Sequence, residues 1–161
     1  MRTTFKLGTA GLLVLALIFA IVPAQAESGP FAALDGSWTG EGQIRTSGGL
    51  RERLRCRATY RSAEAGEQLR LALRCASDSY NFDLAGDVEH RDGAIIGSWS
   101  EASRRASGTI SGRVNGDHIE ANAKGDSFSV TLSLTTRGNR QAVTIQSLAA
   151  EVTNVSITLN K

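Results

Sequence analysis

Residues 51–61 are Arg-Glu-Arg-Leu-Arg-Cys-Arg-Ala-Thr-Tyr-Arg, and their alternation decides the class of fold. Leu54, Cys56, Ala58 and Tyr60 fall on one face, and arginines occupy most of the other. An apolar residue at every second position is typical of a β-strand with one buried face. The stretch therefore predicts a strand with its apolar face in a core and its basic face in solvent.

The following stretch predicts the partner strand. Residues 69–75 place leucines at alternate positions and end in Cys75. If Cys56 faces Cys75 across the hairpin, both sulfurs lie on the apolar face and Tyr60 pairs with Leu71. An even pair of cysteines in an oxidising compartment is most simply a disulfide. Two free thiols or a two-cysteine metal site are the alternatives.

The rest of the chain continues in short alternating segments separated by turn residues. Asn115-Gly116 is one such turn and predicts a type I′ hairpin. No segment after residue 26 has the 3.6-residue period of a helix. Such a chain avoids long free edges most simply as a single all-β domain. We predict an antiparallel up-and-down β-barrel of about eight to ten strands, with a β-sandwich as the alternative.

The first residues have the anatomy of a secretory signal peptide. Arg2 and Lys6 precede an apolar run over residues 12–22, and residues 24–26 are Ala-Gln-Ala, which suits a signal peptidase. The run is shorter than the roughly 20 residues that a membrane-spanning helix needs.

We therefore predict three parts: a cleaved signal peptide at 1–26, a short leader at 27–34 and a β-barrel domain at 35–161. The cleavage site and the preference for arginine over lysine favour a bacterial protein that is periplasmic or secreted. A small outer-membrane barrel is the alternative, but such barrels have an apolar outer surface with aromatic girdles. The arginine-rich face and the aromatic content of 6% favour a chain that does not span the membrane after cleavage.

Charge is unevenly distributed. Loss of Arg2 and Lys6 would bring the net charge from +2 to zero, so the basic pI gives no reason to expect nucleic acid as a partner. Residues 45–74 hold eight arginines against three glutamates, whereas residues 75–92 are predominantly acidic.

The core of the basic region is an arginine ladder on one strand face, formed by Arg51, Arg53, Arg55 and Arg57. Guanidinium groups in such an array suit phosphate-bearing partners such as lipopolysaccharide or acidic lipid headgroups. Alternatively, neighbouring strands pair these arginines with Asp and Glu across the outer face. The near balance of charge favours the second interpretation.

Residues 36–42, Gly-Ser-Trp-Thr-Gly-Glu-Gly, begin the predicted barrel with Gly36 and Trp38. A Gly-x-Trp on the first strand of a small secreted meander resembles the lipocalins and the wider calycin barrels. The glycine spacing is also similar to the start of the ten-stranded nitrobindin-like barrels, which are related to fatty-acid-binding proteins. Nitrobindin-like proteins hold haem through a late histidine. This chain has no histidine after His118, so we expect no haem and no other cofactor.

The resemblance and the small residues on the predicted inner face imply a cavity for one small hydrophobic or amphipathic ligand. Tyr60, Tyr80 and Trp99 would offer polar contacts to that ligand. Alternatively, they are core residues whose polar atoms are satisfied locally. The competing hypothesis for function is a structural or interaction module of the cell envelope, with a filled core, that acts through its Arg/Asp surface.

Catalytic and metal sites are not predicted. The chain has no Gly-x-Ser-x-Gly motif. Its two histidines, His90 and His118, fall on separate turns or strand ends and suggest neither a triad nor a zinc site. Glu41 and Glu101 are the acids closest to the two Gly-Ser-Trp segments, and a carboxylate pair built from them has no further support. We therefore expect a binding protein and not an enzyme.

Overall fold

A computed structural model describes residues 28–126, 129–147 and 150–161. Each strand pairs with its neighbour in the chain, and β1 pairs with β10 to close a single antiparallel up-and-down barrel. The strands are β1 Gly36–Thr46, β2 Arg51–Ala63, β3 Gln68–Ala76, β4 Asn81–Arg91, β5 Ala94–Glu101, β6 Ala106–Asn115, β7 His118–Lys124, β8 Ser129–Arg137, β9 Arg140–Ser147 and β10 Val152–Asn160. The predicted barrel is confirmed and the β-sandwich alternative is wrong. The predicted signal peptide lies outside the described residues.

The hairpin of β2 and β3 has the predicted register. Cys56 pairs with Cys75, and Tyr60 pairs with Leu71. A disulfide joins the two cysteines, which are 6% and 5% exposed on the inner face. The predicted disulfide is thus confirmed, and it ties the strand with the clearest alternation to its neighbour.

We call the end of the barrel where β1 begins the floor, and the opposite end the mouth. The segment before β1 closes the floor, with a short 3-10 turn at Ala32–Leu34. Its backbone is fixed by the bond from Phe31 N to the Gly66 carbonyl oxygen at 3.0 Å. Phe31 and Leu34 are 1% and 2% exposed. The described part of the expected leader is therefore packed structure.

Trp38 is completely buried above this segment, and its Nε1 donates to the Leu34 carbonyl oxygen at 2.7 Å. Two positions near tryptophans require glycine. Gly36 has a φ of +116°, in the region where a side chain is strained, and a β-carbon at Gly97 would overlap the carbonyl oxygen of Asp87. These glycines let the strands approach and bend as the barrel closes.

One turn differs from its prediction. Of the predicted central pair, Gly116 has a φ of +60° but Asn115 does not have a positive φ, and neither does Asp117 on the other side. A type I′ turn requires positive φ at both central residues, so it does not form there. That pattern occurs instead between β4 and β5, where Asp92 and Gly93 have φ values of 51° and 81°.

The core is packed unevenly around the barrel. Trp38, Ile44, Leu54 and Leu159 come from β1, β2 and β10, and all four have no exposed surface. Inward side chains of β3 to β9 are often only partly buried, as Leu71 shows. Among the described residues, no helix has the length and apolar character needed to cross a membrane.

Candidate ligand-binding cavity

A cavity of about 550 Å³ lies inside the barrel between the floor and the mouth. Its wall is mostly aliphatic and aromatic, and includes Leu71, Leu73, Ile110, Leu132, Leu134 and Ile145. Strand alternation turns these side chains inward, and most of them pack on one side against the buried core cluster. The part of each side chain that is not covered by neighbours faces the cavity.

Two features of the sequence create this space. The large side chains of β1, β2 and β10 fill their own side of the barrel, with Trp38 as the largest. On the opposite side, inward positions carry small residues, including Gly86, Ala121 and Ala123. Pocket volumes of roughly 300–1,000 Å³ are typical of small-molecule sites. The cavity has the size and the apolar wall of such a site.

A buried polar chain forms part of the floor. Tyr60 Oη donates to Gln141 Oε1 at 2.7 Å, and Gln141 Nε2 donates to Thr136 Oγ1 at 3.1 Å. Gln141 is completely buried and Tyr60 is 5% exposed. Burial raises the pKa of the Tyr60 hydroxyl, and the bond to Gln141 opposes that effect only in part. Tyr60 therefore remains a neutral donor throughout the physiological pH range.

The mouth is crossed by a bond between two distant loops. Tyr80, one residue before β4, donates from Oη to Glu151 Oε1 at 2.8 Å. This bond and burial both raise the pKa of the Tyr80 hydroxyl. The Tyr80 loop is held by Glu52, which accepts from Ser77 Oγ at 2.6 Å and from the Ser79 backbone at 3.0 Å. These bonds lower the pKa of the Glu52 carboxyl.

Glu101 and Arg104 form a second polar group at the mouth. Glu101 is 5% exposed and accepts backbone N–H bonds from Asp83, Ser103 and Arg104 at 2.9, 3.2 and 2.7 Å. Burial alone would raise the pKa of its carboxyl, but these donors outweigh burial and hold the pKa below its ordinary value. The Arg104 guanidinium donates to Glu101 at 3.4 Å and lies 4.9 Å from the Phe82 ring centroid. The backbone bonds from Ser103 and Arg104 to Glu101 hold the turn that follows β5.

The three residues predicted to contact a ligand, Tyr60, Tyr80 and Trp99, all lie in the cavity wall. Tyr60 is at the floor, whereas Tyr80 and Trp99 are towards the mouth. Trp99 Nε1 donates to the Lys124 carbonyl oxygen at 3.2 Å. Each of the three thus has a hydrogen bond within the protein, as expected for core residues whose polar atoms are satisfied locally. Their contact with a ligand stays a prediction.

Sequence reasoning missed Ser147 as a wall residue and Gln141 as a buried residue of the floor. Both alternate in step with Val143 and Ile145 on β9, so the period-2 pattern of this strand could have identified them as inward-facing. Ser147 is 6% exposed, and its Oγ is the one buried side-chain polar atom without a hydrogen-bond partner in the described ranges.

The arginine ladder lies on the outer face of β2, away from the cavity. Arg53 forms an ion pair with Glu41, whereas Arg51, Arg55 and Arg57 form none with the described residues. Further along the same face, β3 and β4 are joined by exposed pairs, Arg70–Asp87 at 2.9 Å and Arg74–Asp83 at 3.3 Å. Cross-strand pairing therefore accounts for part of the basic surface.

The remaining candidates for chemistry are dispersed. Glu41 is on the outer face with Arg53, while Glu101 points inward, so the two acids do not form a pair. His90 Nδ1 lies 2.6 Å from Glu67, and His118 contacts Thr135 elsewhere. Within residues 28–126, 129–147 and 150–161, no cluster of three His, Cys, Asp or Glu could hold a metal ion.

Comparison with known proteins finds similar folds but no related sequence family. No family model and no curated protein matches the chain. Rv2717c from M. tuberculosis is structurally similar, with a TM-score of 0.65 and 14% identity over 81% of this chain and 93% of its own. The S-type phycobiliprotein lyase CPES from Guillardia theta has a TM-score of 0.56 and 9% identity over 81% and 89%. Both similarities concern the fold, which is a closed, ten-stranded antiparallel β-barrel.

Proposed function

We propose that this protein binds a small hydrophobic or amphipathic molecule inside its barrel and does not convert it chemically. The observation that carries the proposal is the apolar cavity of about 550 Å³ above a packed floor. One water needs roughly 10–15 Å³ of such volume, so the cavity is far larger than a packing defect. Its size argues against the competing hypothesis of a filled core.

The polar groups of the wall support carriage over catalysis. Tyr60 is bonded to Gln141, Tyr80 to Glu151, and Glu101 to three backbone amides. A catalytic acid or base needs access to substrate and a pKa suited to its task. One of the similar structures is named a lyase, so the architecture alone does not separate binding from catalysis. These side chains are already hydrogen-bonded within the protein, and this favours binding over catalysis.

The site of action that we propose is the bacterial periplasm or the exterior. A disulfide persists in oxidising compartments and is rare in the reducing cytosol. The bond between Cys56 and Cys75 is compatible with that location. Mass determination of the secreted chain would test both the compartment and the predicted cleavage after Ala26.

A direct test of ligand carriage is native mass spectrometry of protein purified from its own host, paired with titration of a hydrophobic fluorescent dye. We expect a co-purifying small molecule and saturable dye binding. Leu132→Trp fills the cavity and should weaken dye binding at least tenfold. Ala72→Trp adds the same ring to an exposed position of β3 and should leave dye binding unchanged. If no molecule co-purifies and no dye binds, ligand carriage is wrong.

A second candidate function is binding of an anionic envelope component by the outer face of β2. The observation that favours it is the like-charged register: Arg57 lies opposite Arg74, and Arg61 opposite Arg70. Asp83 and Asp87 pair with Arg74 and Arg70, which leaves Arg57 and Arg61 without an ion-pair partner among the described residues. Replacing Arg51, Arg55 and Arg57 by Gln should abolish salt-sensitive sedimentation with vesicles containing anionic lipid. Equal sedimentation with neutral vesicles would contradict this function.

A further inference from the structure

Glu151 places an accessible carboxylate at the mouth of the cavity. It directly precedes β10, it belongs to the cavity wall, and the residue is exposed. Its backbone carbonyl oxygen accepts from Ser47 N at 2.8 Å, and its Oε1 accepts from Tyr80 Oη at 2.8 Å. These two contacts fix the position of the carboxylate, while its Oε2 has no hydrogen-bond partner among the described residues.

The open positions at this carboxylate accept hydrogen bonds and cannot donate them. At neutral pH an exposed carboxylate is ionised and acts only as an acceptor, so Glu151 Oε2 can receive a donor. Tyr80 Oη has used its one proton in the bond to Glu151, so its remaining capacity is also that of an acceptor. The two oxygens therefore suit a ligand group that carries several donors.

The charges of the wall favour a cation at the same place. Among the described residues, the charged members of the wall are Glu101, Arg104 and Glu151. Arg104 donates to Glu101 at 3.4 Å and to the Asn81 carbonyl oxygen at 3.1 Å. Its guanidinium also lies over the Phe82 ring. Glu101 and Arg104 thus offset each other, and Glu151 leaves this wall with one net negative charge.

The Tyr80 hydroxyl is subject to the same negative charge. The bond to Glu151 and burial are the main causes that raise its pKa. The charges of Glu151 and Glu52 raise this pKa further, and the opposing effect of Arg104 is smaller. A cationic group beside Tyr80 would therefore be attracted, and an anionic group would be repelled.

From these contacts we propose that the cavity takes a cationic amphiphile, a primary amine on an apolar ring or chain. The ammonium group lies at the mouth and donates to Glu151 Oε2 and Tyr80 Oη, and the apolar part lies in the cavity. An ammonium has three donors and no acceptor, which matches two open acceptors. Its charge stays next to solvent, so it avoids the cost of full burial. This inference rests on the proposed ligand carriage and specifies its chemistry.

The test uses four probes that share one ring system: methylnaphthalene, naphthalenemethanol, naphthalenemethylamine and naphthaleneacetate, all substituted at the same ring position. Affinities are measured by calorimetric titration for wild type, Glu151→Gln and Asp78→Asn. Asp78 is a matched control because it is exposed in the Tyr80 loop but does not belong to the cavity wall. Both variants remove one negative charge. Thermal unfolding without probe checks that each variant is folded.

We expect Glu151→Gln to weaken the amine about tenfold, the lower end for a hydrogen bond to a charged group, because the site is open to solvent. The affinity for methylnaphthalene should not change, and naphthaleneacetate should bind no more weakly than before. Asp78→Asn should change none of the affinities. In wild type, the amine should bind more tightly than the acetate. Thermal stability should be preserved in Glu151→Gln, because the glutamine oxygen can still accept from Tyr80.

The results separate this inference from the proposal beneath it. If the probes bind but Glu151→Gln affects all of them equally or none, ligand carriage stands and the role of Glu151 is wrong. Tighter binding of the acetate than of the amine overturns the cationic class. An equal loss of amine binding in Asp78→Asn shows a general effect of charge at the mouth and overturns the direct contact.

A hydrophobic dye distinguishes the remaining outcomes. If the dye binds to wild type but the amine does not, the cationic class is wrong and ligand carriage stands. If neither the dye nor any of the four probes binds, ligand carriage itself fails.

Discussion

Breaking the floor bond between Tyr60 and Gln141 should cost more than removing both of its partners. Tyr60→Phe deletes one hydroxyl and leaves Gln141 Oε1 buried without its donor, since Gln141 has no exposed surface. Gln141→Leu leaves the Tyr60 hydroxyl in an apolar wall. An unsatisfied buried polar group costs about 1–3 kcal/mol. Each single substitution should therefore lower the free energy of unfolding by about 2 kcal/mol.

The double variant Tyr60→Phe/Gln141→Leu replaces both partners by apolar groups of similar shape. Such replacement can be nearly neutral. The double variant should then be more stable than the sum of the single effects by about 1–2 kcal/mol, within the range for residues in contact. Thr136 also loses the Gln141 amide donor, which limits the recovery.

Urea unfolding followed by tryptophan fluorescence measures this coupling. A loss of 2 kcal/mol moves the midpoint by about 1 M if the slope is about 2 kcal/mol/M. Tyr80→Phe combined with Gln141→Leu is the matched control, because Tyr80 lies at the mouth and shares no partner with Gln141. Its effects should be additive. Additivity within about 0.5 kcal/mol for the Tyr60 cycle as well would refute the reasoning.

Three further predictions concern the barrel itself. Cys56→Ala/Cys75→Ala removes a link between residues 19 apart and should be about 3 kcal/mol less stable than the oxidised wild type. Reductant should not change the stability of this variant. Equal melting of the wild type with and without an effective reductant would contradict the stabilising role of the disulfide. Because folding lowers the pKa of the Glu101 carboxyl, ionised Glu101 adds to the free energy of unfolding at pH values above its ordinary pKa of 4.5. This stabilisation disappears as the pH falls through the lower pKa of the folded state. Glu101→Gln should thus be less stable than wild type near neutral pH. In urea titrations, the difference in free energy of unfolding between the two proteins should become smaller as the pH is lowered. Gly97→Ala should cost roughly 2 kcal/mol or more because its β-carbon would overlap backbone. Gly48→Ala, whose β-carbon would meet only Thr46 Oγ1 at 3.9 Å, should be neutral in the same assay.

Local alternation was sufficient to predict the barrel, because each strand carries its own period-2 pattern. The pairing of Cys56 with Cys75 followed from the same pattern, since a slip of one residue would turn one sulfur to solvent. These features depend on residues close together in the chain. They could be predicted from one sequence.

The floor and the cavity depend on contacts made only after closure. Gln141 is separated from Tyr60 by 81 positions, and the period-2 phase of β9 indicates that Gln141 points inward but not which residue it meets. Phe31 and Leu34 precede the first strand and pack against an end that exists only in the closed barrel. The location of the empty space is set by Trp38 and its large neighbours, whose reach across the barrel depends on three-dimensional packing.

The floor also determines where the two ends of the described chain lie. Gly29 is hydrogen-bonded to the 64–66 turn, and the Lys161 backbone donates to the Asn139 carbonyl oxygen in another turn of the same end. Lys161 Nζ lies 5.6 Å from the Trp38 ring centroid. An attachment at either end would therefore hold the barrel by its base, with the mouth directed away from the anchor. A tag or surface linker placed there would leave the Tyr80–Glu151 bond across the mouth untouched, so an immobilised form is suited to measuring the proposed ligand binding.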